Sequence, residues 1–367
     1  MRVVLSHDWL NGMRGGEKCL EAFCQMFPES PVYALFCEKE KISSLINRHS
    51  VRTSFVQLFP DVFTRYRAYL PFFPLAVESF RLEDCELVIS TSHCVAKGIR
   101  KPKGAVHLSY CFTPMRYAWG FFDEYFGDKN IFVRGVARGL ILFLRKWDRA
   151  TSGGVDCFVA ISGHVQKRIW EFYRRAAEVV YPPVDTDFYT PSADVAPEDF
   201  YLIVSALVPY KKIDLAVRSF NRLGRRLVVI GDGPKKKEWE SLAGPAVRFL
   251  GWESDEVIRD HYRRARAIIF PGEEDFGIVP VEAQACGRPV IAYGAGGVLE
   301  TVRDGETGIF FKEQTEESLM DAVKIFESRA WDPEKARLNA AGFGKERFRR
   351  QMEDCVERLL KGPGSSR

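Results

Sequence analysis

No Cys-x-x-Cys pair occurs among the nine cysteines, which lie scattered from Cys19 to Cys355. That spacing excludes zinc-ribbon and thioredoxin-like chemistry, and an odd set of scattered thiols reads as reduced cytosolic cysteine. There is no run of about 18 apolar residues, so a spanning helix is not expected. The opening MRVVLSHDW lacks the long apolar stretch of a signal peptide. Charge of one sign is scarce too: 53 Lys and Arg against 49 Asp and Glu leave +4, no general nucleic-acid footprint. What imbalance exists is uneven. Residues 1–183 carry seven more basic than acidic groups, and residues 184–367 carry three fewer. The first half is the one suited to an anionic surface.

With 46% apolar and 28% charged residues the chain is globular, and collagen-like, mucin-like and wholly disordered readings fall away. At 367 residues it is too long for one core and suits two domains. Short apolar runs alternate with helical patterns. Strands are expected at 2–6, 31–36, 86–90, 105–110 and 156–161, with a helix near 16–27 and another from Ser162, a good N-cap, to Arg175. The second half repeats the rhythm with strands at 200–205, 226–231, 247–250, 266–270, 289–293 and 308–312 and helices between them. Such alternation predicts α/β architecture, parallel sheets covered by helices on both faces. The proline-rich segment 179–199 is the candidate linker. The tail 333–360 has a helical period, and the last six residues, GPGSSR, are expected to fray.

The sharpest chemical signal lies at 270–302. Glu274 falls just after a strand, and Glu282 about a turn into the helix that follows Gly277. Two carboxylates facing one pocket suit vicinal hydroxyls of ribose or hexose. The competing reading is two solvated acids at a helix start, where negative charge is favoured. Gly294, Gly296 and Gly297 precede a further helix and offer an anion site, weak by itself.

The stretch EEDFGIVPVEAQACGRPVIA, with its Glu274–x7–Glu282 spacing, resembles the hallmark of the retaining glycosyltransferases of family four, which have the GT-B fold. HDWLNGMRGGEK (7–18), STSHCVAKG (90–98), YCFTPMRYAW (110–119), YPPVDTDFY (181–189), LVPYKKIDLAV (207–217), IGDGP (230–234) and YGAGGVLETVRDGETGIFF (293–311) fall in the expected order. The resemblance thus covers nearly the whole chain. It is most similar to bacterial mannosyltransferase-like members that build surface polysaccharide.

The resemblance implies two doubly wound Rossmann-like domains facing a cleft: 1–183 for the acceptor, 184–340 for the nucleotide sugar, and 341–367 as a helix returning to the first. It implies Glu282 on the ribose, Glu274 on the donor-sugar hydroxyls, and the backbone after Phe276 (Gly277, Ile278, Val279) against sugar and diphosphate. Lys211, with Lys212 beside it, would hold the diphosphate. Gly297 belongs to the donor site, and a Gly15–Gly16 turn would close over it. Phe112, Arg116 and Lys97 are the acceptor-side candidates. Two departures stand out. Ala206 occupies the place of a family arginine, and Phe112 that of a family histidine which contacts the donor sugar.

The implied function is metal-independent, retaining transfer of a hexose from a nucleotide sugar, GDP-mannose first, to a lipid-linked saccharide or similar acceptor. No cofactor is expected. The alternatives are a UDP-sugar enzyme, an epimerase of similar fold, or a nucleotide-sugar-binding relative without turnover. Asp185-x-Asp187 imitates a metal motif but sits in the linker and reads as turn chemistry. His93, His107, His164 and His261 read as satisfied structural histidines, and His7 has no assigned role. Lastly, 129–149 holds six basic residues against Asp148 alone, beside Trp119, Phe121, Phe122, Phe132 and Trp147, and eight aromatics lie between Phe55 and Phe80. A basic amphipathic helix beside aromatics predicts peripheral attachment to an anionic membrane, from the cytoplasmic face. The alternative is a helix whose basic side is simply solvated.

Overall fold

A computed structural model of the chain describes residues 1–120 and 131–361. Phe121, Phe122, the side chain of Phe132 and the GPGSSR end lie outside the described residues. The chain divides into two compact units, Met1–Pro183 with Phe348–Arg367, and Val184–Arg347.

The first unit is built on a seven-stranded sheet: β1 (Val3–His7), β2 (Val32–Ala34), β3 (Val51–Thr53), β4 (Leu87–Ser92), β5 (Val106–Cys111), β6 (Cys157–Ala160) and β7 (Ala177–Val179). All its pairings are parallel, in the order β3-β2-β1-β4-β5-β6-β7. Every residue of β1 and β4 is buried, as parallel strands covered on both faces require. Two polar members of β4 bond within the sheet, Thr91 donating to the Ser6 carbonyl at 3.2 Å and Ser90 meeting Nε2 of His107 at 2.8 Å, whereas the buried Ser6 hydroxyl has no partner among the described residues. Among the helices are α1 (Gly15–Met26), α2 (Ile131–Thr151) and α3 (Gly163–Tyr173). The Ser162 hydroxyl accepts the Val165 amide at 3.0 Å, the expected N-cap.

The second unit holds a six-stranded parallel sheet: β8 (Tyr201–Val204), β9 (Leu227–Ile230), β10 (Val247–Gly251), β11 (Ile268–Phe270), β12 (Val290–Tyr293) and β13 (Gly308–Phe311), in the order β10-β9-β8-β11-β12-β13. The order reverses between β8 and β11, the switch point of a doubly wound sheet. Helices α4 (Ile213–Leu223) and α5 (Ile278–Ala285) flank it. The apolar stripe of α4 (Ile213, Ala216, Val217, Phe220) enters a core with Tyr201, Ile269 and Phe326.

Two expectations change. The first sheet has seven strands, because the three-residue β3 and β7 carry Arg52 and Glu178 and leave no apolar pattern. The tail is two helices, α6 (Pro333–Ala341) and α7 (Lys345–Lys361), broken at Gly342 and Gly344. Residues 341–347 stay with the second unit. From Phe348 onward α7 belongs to the first, where the Phe348 ring meets Phe23 at 5.4 Å and Tyr110 at 5.5 Å.

Candidate active site

At the switch point of the second sheet, the loop after β8 and the loop after β11 run against each other. A Cβ on Gly272 would lie 2.8 Å from Cα of Lys211, closer than real side chains allow, so only glycine permits the contact. This approach sets the Lys211 ammonium against the Glu274 carboxylate as an ion pair. The Lys211 ammonium also lies 5.3 Å from the centre of the Tyr210 ring. Lys212 follows in the left-handed region at φ 52°, a conformation that costs a non-glycine residue about 1–2 kcal/mol, and it caps α4.

Beyond Glu274 the chain turns through Gly277 at φ 90° and enters α5. A left-handed N-cap followed by Ile278 and Val279 starts the helix four residues after Glu274. Those amides have no partners within the helix, and they favour negative charge. Pro280 has no N–H to offer. One turn further along α5, Glu282 is buried, and the Tyr262 hydroxyl donates to its Oε2 at 3.1 Å. Burial, then the Glu282 charge, pushes the Tyr262 and Tyr189 hydroxyls well above the ordinary tyrosine range. Tyr262 lies on another helix, and no sequence spacing announces it.

Several assignments are corrected. The Phe276 side chain is a core group, edge-on to Phe343 at 5.8 Å; only the backbone after it lines the loop. The Gly297 amide is spent on the Glu274 carbonyl at 2.8 Å, and the Gly294 amide on Phe311 at 3.0 Å. The helix they precede, Val298–Thr301, is a single turn, so this cluster packs the loop rather than holding an anion. Gly15 and Gly16 form the first turn of α1 rather than a turn before it. A Cβ on Gly16 would meet the His7 and Phe112 rings, each at 3.5 Å.

Lys97 is no acceptor group. It is 3% exposed, pairs with Asp148 Oδ1 at 2.8 Å, and donates to the Asp148 carbonyl at 2.7 Å and the Thr151 hydroxyl at 2.9 Å. Oδ2 of Asp148 accepts from Trp119 Nε1 at 2.6 Å and the Tyr173 hydroxyl at 2.7 Å. A buried pair so fully bonded is structural. Phe112 and Arg116 are half-buried at the carboxyl end of the first sheet, and the Arg116 amide donates to the His93 carbonyl at 3.4 Å.

In the linker, Asp185 accepts the Phe188 amide at 3.1 Å and pairs with Lys345, so Asp185-x-Asp187 is a turn. No cluster of three His, Cys, Asp or Glu among the described residues has the geometry of a metal site. Among the described residues no helix is long and apolar enough to cross a membrane. In α2, Arg145 is tied to the Ala118 carbonyl at 2.6 Å and Arg149 to the Phe172 carbonyl at 2.8 Å. Both lie over Trp119, at 5.5 and 5.4 Å, so neither is merely a solvated charge.

The fold class is GT-B, two Rossmann-like units. HepE of Anabaena in complex with UDP superimposes with a TM-score of 0.70 at 16% identity, over 97% of this chain and all of that one. Residues 191–343 match the family described as glycosyl transferases group 1. An uncharacterised glycosyltransferase of Methanocaldococcus jannaschii is 28% identical over 241 residues, 64% of this chain and 65% of that protein. A GDP-mannose-dependent alpha-(1-6)-phosphatidylinositol monomannoside mannosyltransferase of Mycobacterium tuberculosis is 30% identical over 205 residues, 48% of this chain and 53% of that protein. The matched stretches thus span less than two thirds of these curated relatives.

Proposed function

We propose that this protein is a retaining hexosyltransferase that uses a nucleotide diphosphate sugar. The observation that carries the reading is the Lys211–Glu274 pair on the loops after β8 and β11, with α5 starting four residues after Glu274 and the buried Glu282 one turn into it. A leaving diphosphate gains negative charge, and a lysine with helix-end amides stabilises that charge without a metal. Glu274, released from Lys211 by the phosphates, is an acceptor for donor-sugar hydroxyls. Glu282, held by Tyr262, is an acceptor for the ribose. Ala206 supplies no cation, so Lys212 takes the place of a second diphosphate partner.

GDP-mannose is the first donor to test, and the GDP-mannose-dependent relative supports it. A UDP-sugar is the second reading, favoured by the structural neighbour solved with UDP. The acceptor is a lipid-linked saccharide or similar glycan of a surface polysaccharide, approached at an anionic membrane from the cytoplasmic side.

The deciding experiment is a thermal-shift panel of GDP, UDP, ADP and their sugars, followed by donor consumption in excess EDTA. One nucleotide is expected to stabilise the protein, and its sugar to be consumed without divalent metal. No shift with any nucleotide, or activity that only magnesium restores, would overturn the reading.

A further inference from the structure

The sheet of the first unit also has a switch point, between β1 and β4, which pair in parallel along their length. Ligands of open parallel sheets bind there, outside the carboxyl ends of the strands. Asp8 is the residue after β1 and His93 the residue after β4.

Asp8 is completely buried. Its Oδ2 accepts the amides of His93 and Cys94 at 2.6 and 2.9 Å, and its Oδ1 those of Val95 and Ala96 at 2.6 and 2.7 Å. Burial works to raise its pKa, but the charge and hydrogen bonds of His93 outweigh it and bring the carboxyl down to about 2. Nδ1 of His93 lies 3.0 Å from Oδ2. An ionised carboxylate only accepts, so the hydrogen on Nδ1 faces Asp8 and Nε2 is the ring's other face. Because the same carboxylate ties the backbone of 93–96, the ring is fixed at both ends.

The His93 side chain is 30% exposed, and among the described residues Nε2 has no hydrogen-bond partner. Around it stand aromatic rings. Trp9 meets it edge-on at 4.6 Å, and Phe112, half-buried, lies at 6.4 Å. Beyond Phe112 is His7, whose Nδ1 is occupied by the Thr91 hydroxyl at 2.7 Å. One oriented, unpaired ring nitrogen beside an aromatic face suits a ligand with hydroxyls, which both donate and accept, on one side and C–H groups on the other, which is the surface of a sugar ring.

We infer that His93 is an acceptor-recognition residue, its Nε2 hydrogen-bonded to a hydroxyl of a saccharide whose C–H face lies against Phe112, and that Asp8 is its positioning residue. This deepens the glycosyltransferase reading and rests on it.

The test compares His93→Asn with His93→Gln. The asparagine amide replaces Nδ1 and keeps the bond to Asp8 but lacks Nε2. The glutamine amide reaches the position of Nε2. Methyl glycosides of mannose, glucose, galactose and N-acetylglucosamine serve as acceptors with the donor found above. His93→Asn is expected to raise acceptor KM at least tenfold while the donor Kd stays within twofold, and His93→Gln to recover most of the loss. A purely structural histidine gives the opposite order, so His93→Asn within twofold of wild type, or below His93→Gln in acceptor KM, overturns the inference.

If the wild type consumes no nucleotide sugar, the glycosyltransferase reading fails by itself. Saturation-transfer NMR with the same methyl glycosides then still reads the site. Signals present in wild type and lost in His93→Asn support it, and absent or equal signals refute it.

Discussion

Lys211 and Glu274 neutralise each other across two loops whose backbones touch at Gly272. On the proposed reading, a diphosphate would compete for the lysine, and its attached sugar would take over the glutamate.

That relationship sets the first prediction. Glu274→Ala should lower transfer by one to two decades, since a hydrogen bond to a charged group contributes about 1.5–3 kcal/mol. Nucleotide affinity should stay level or tighten, because Lys211 loses its competitor. Lys211→Ala should weaken nucleoside diphosphate far more than monophosphate. Calorimetry with both nucleotides on both variants checks it, and activity of Glu274→Ala within twofold of wild type would remove the residue from the chemistry.

Glu282 and Tyr262 give the second. Glu282→Ala should weaken free nucleotide and nucleotide sugar alike, because both carry the ribose. Tyr262→Phe should unfold at lower urea, losing about 1.5–3 kcal/mol for a bond to a charged group, while weakening nucleotide less than Glu282→Ala. Equal nucleotide affinity in wild type and Glu282→Ala sinks the ribose role.

The third concerns the membrane. Arg138, Leu142 and Lys146 follow one another at helical spacing on the outer side of α2, with Leu142 63% and neighbouring Phe143 54% exposed. Each Lys or Arg near an anionic surface contributes about 1 kcal/mol, screened by salt. The chain should therefore sediment with phosphatidylglycerol vesicles at low salt and not with neutral ones. Arg138→Gln with Lys146→Gln, and separately Leu142→Ser with Phe143→Ser, should each reduce binding. Arg145 is left alone, since its bond to Ala118 makes it part of the fold. Undiminished sedimentation of both double variants would mark α2 as a solvated helix.

The fourth is a pH dependence. Burial lowers the pKa of His7 from 6.5 to about 4 and that of His107 to about 3, with Asp8 opposing the shift at His7 and Lys101 adding to it at His107. Both imidazoles are neutral in the fold and protonate more readily in the unfolded chain. Their contribution to stability is complete above pH 6.5 and is lost as pH falls toward 4 and 3. Each pKa unit of difference corresponds to about 1.4 kcal/mol, so the loss over this window is on the order of several kcal/mol. Urea unfolding at pH 7, 5.5 and 4.5 should show it, and His107→Gln should flatten the slope. A pH-independent midpoint from 7 to 4.5 would contradict buried neutral rings.

Much of the second unit was legible. All six of its strands lie within or beside short apolar runs between helical patterns, because a strand covered on both faces must be apolar throughout. The loop and helix carrying Glu274 and Glu282 were legible for the same local reason, a strand, a glycine and a short, largely apolar helical run. Lys97 was misread because a lysine in a small-residue stretch looks exposed until its partner is known, and Asp148 comes far along the chain on α2. His93 was read as a satisfied histidine, and its partner Asp8, which no local pattern could name, lies 85 residues earlier.

The sequence by itself determined the alternation of strand and helix, the two-domain order and the glycines where backbones meet, since these depend on local conformation and on which residues tolerate burial. Only the tertiary structure decided which charges are used up and which are offered. Asp148 and Lys97 are spent in the core, Asp8 is spent on holding His93, and Lys211 and Glu274 hold each other on the loops beyond the strand ends. The reason is physical: an ion's role is set by the donors, acceptors and water within a few ångströms of it, and the fold gathers those neighbours from distant parts of the chain.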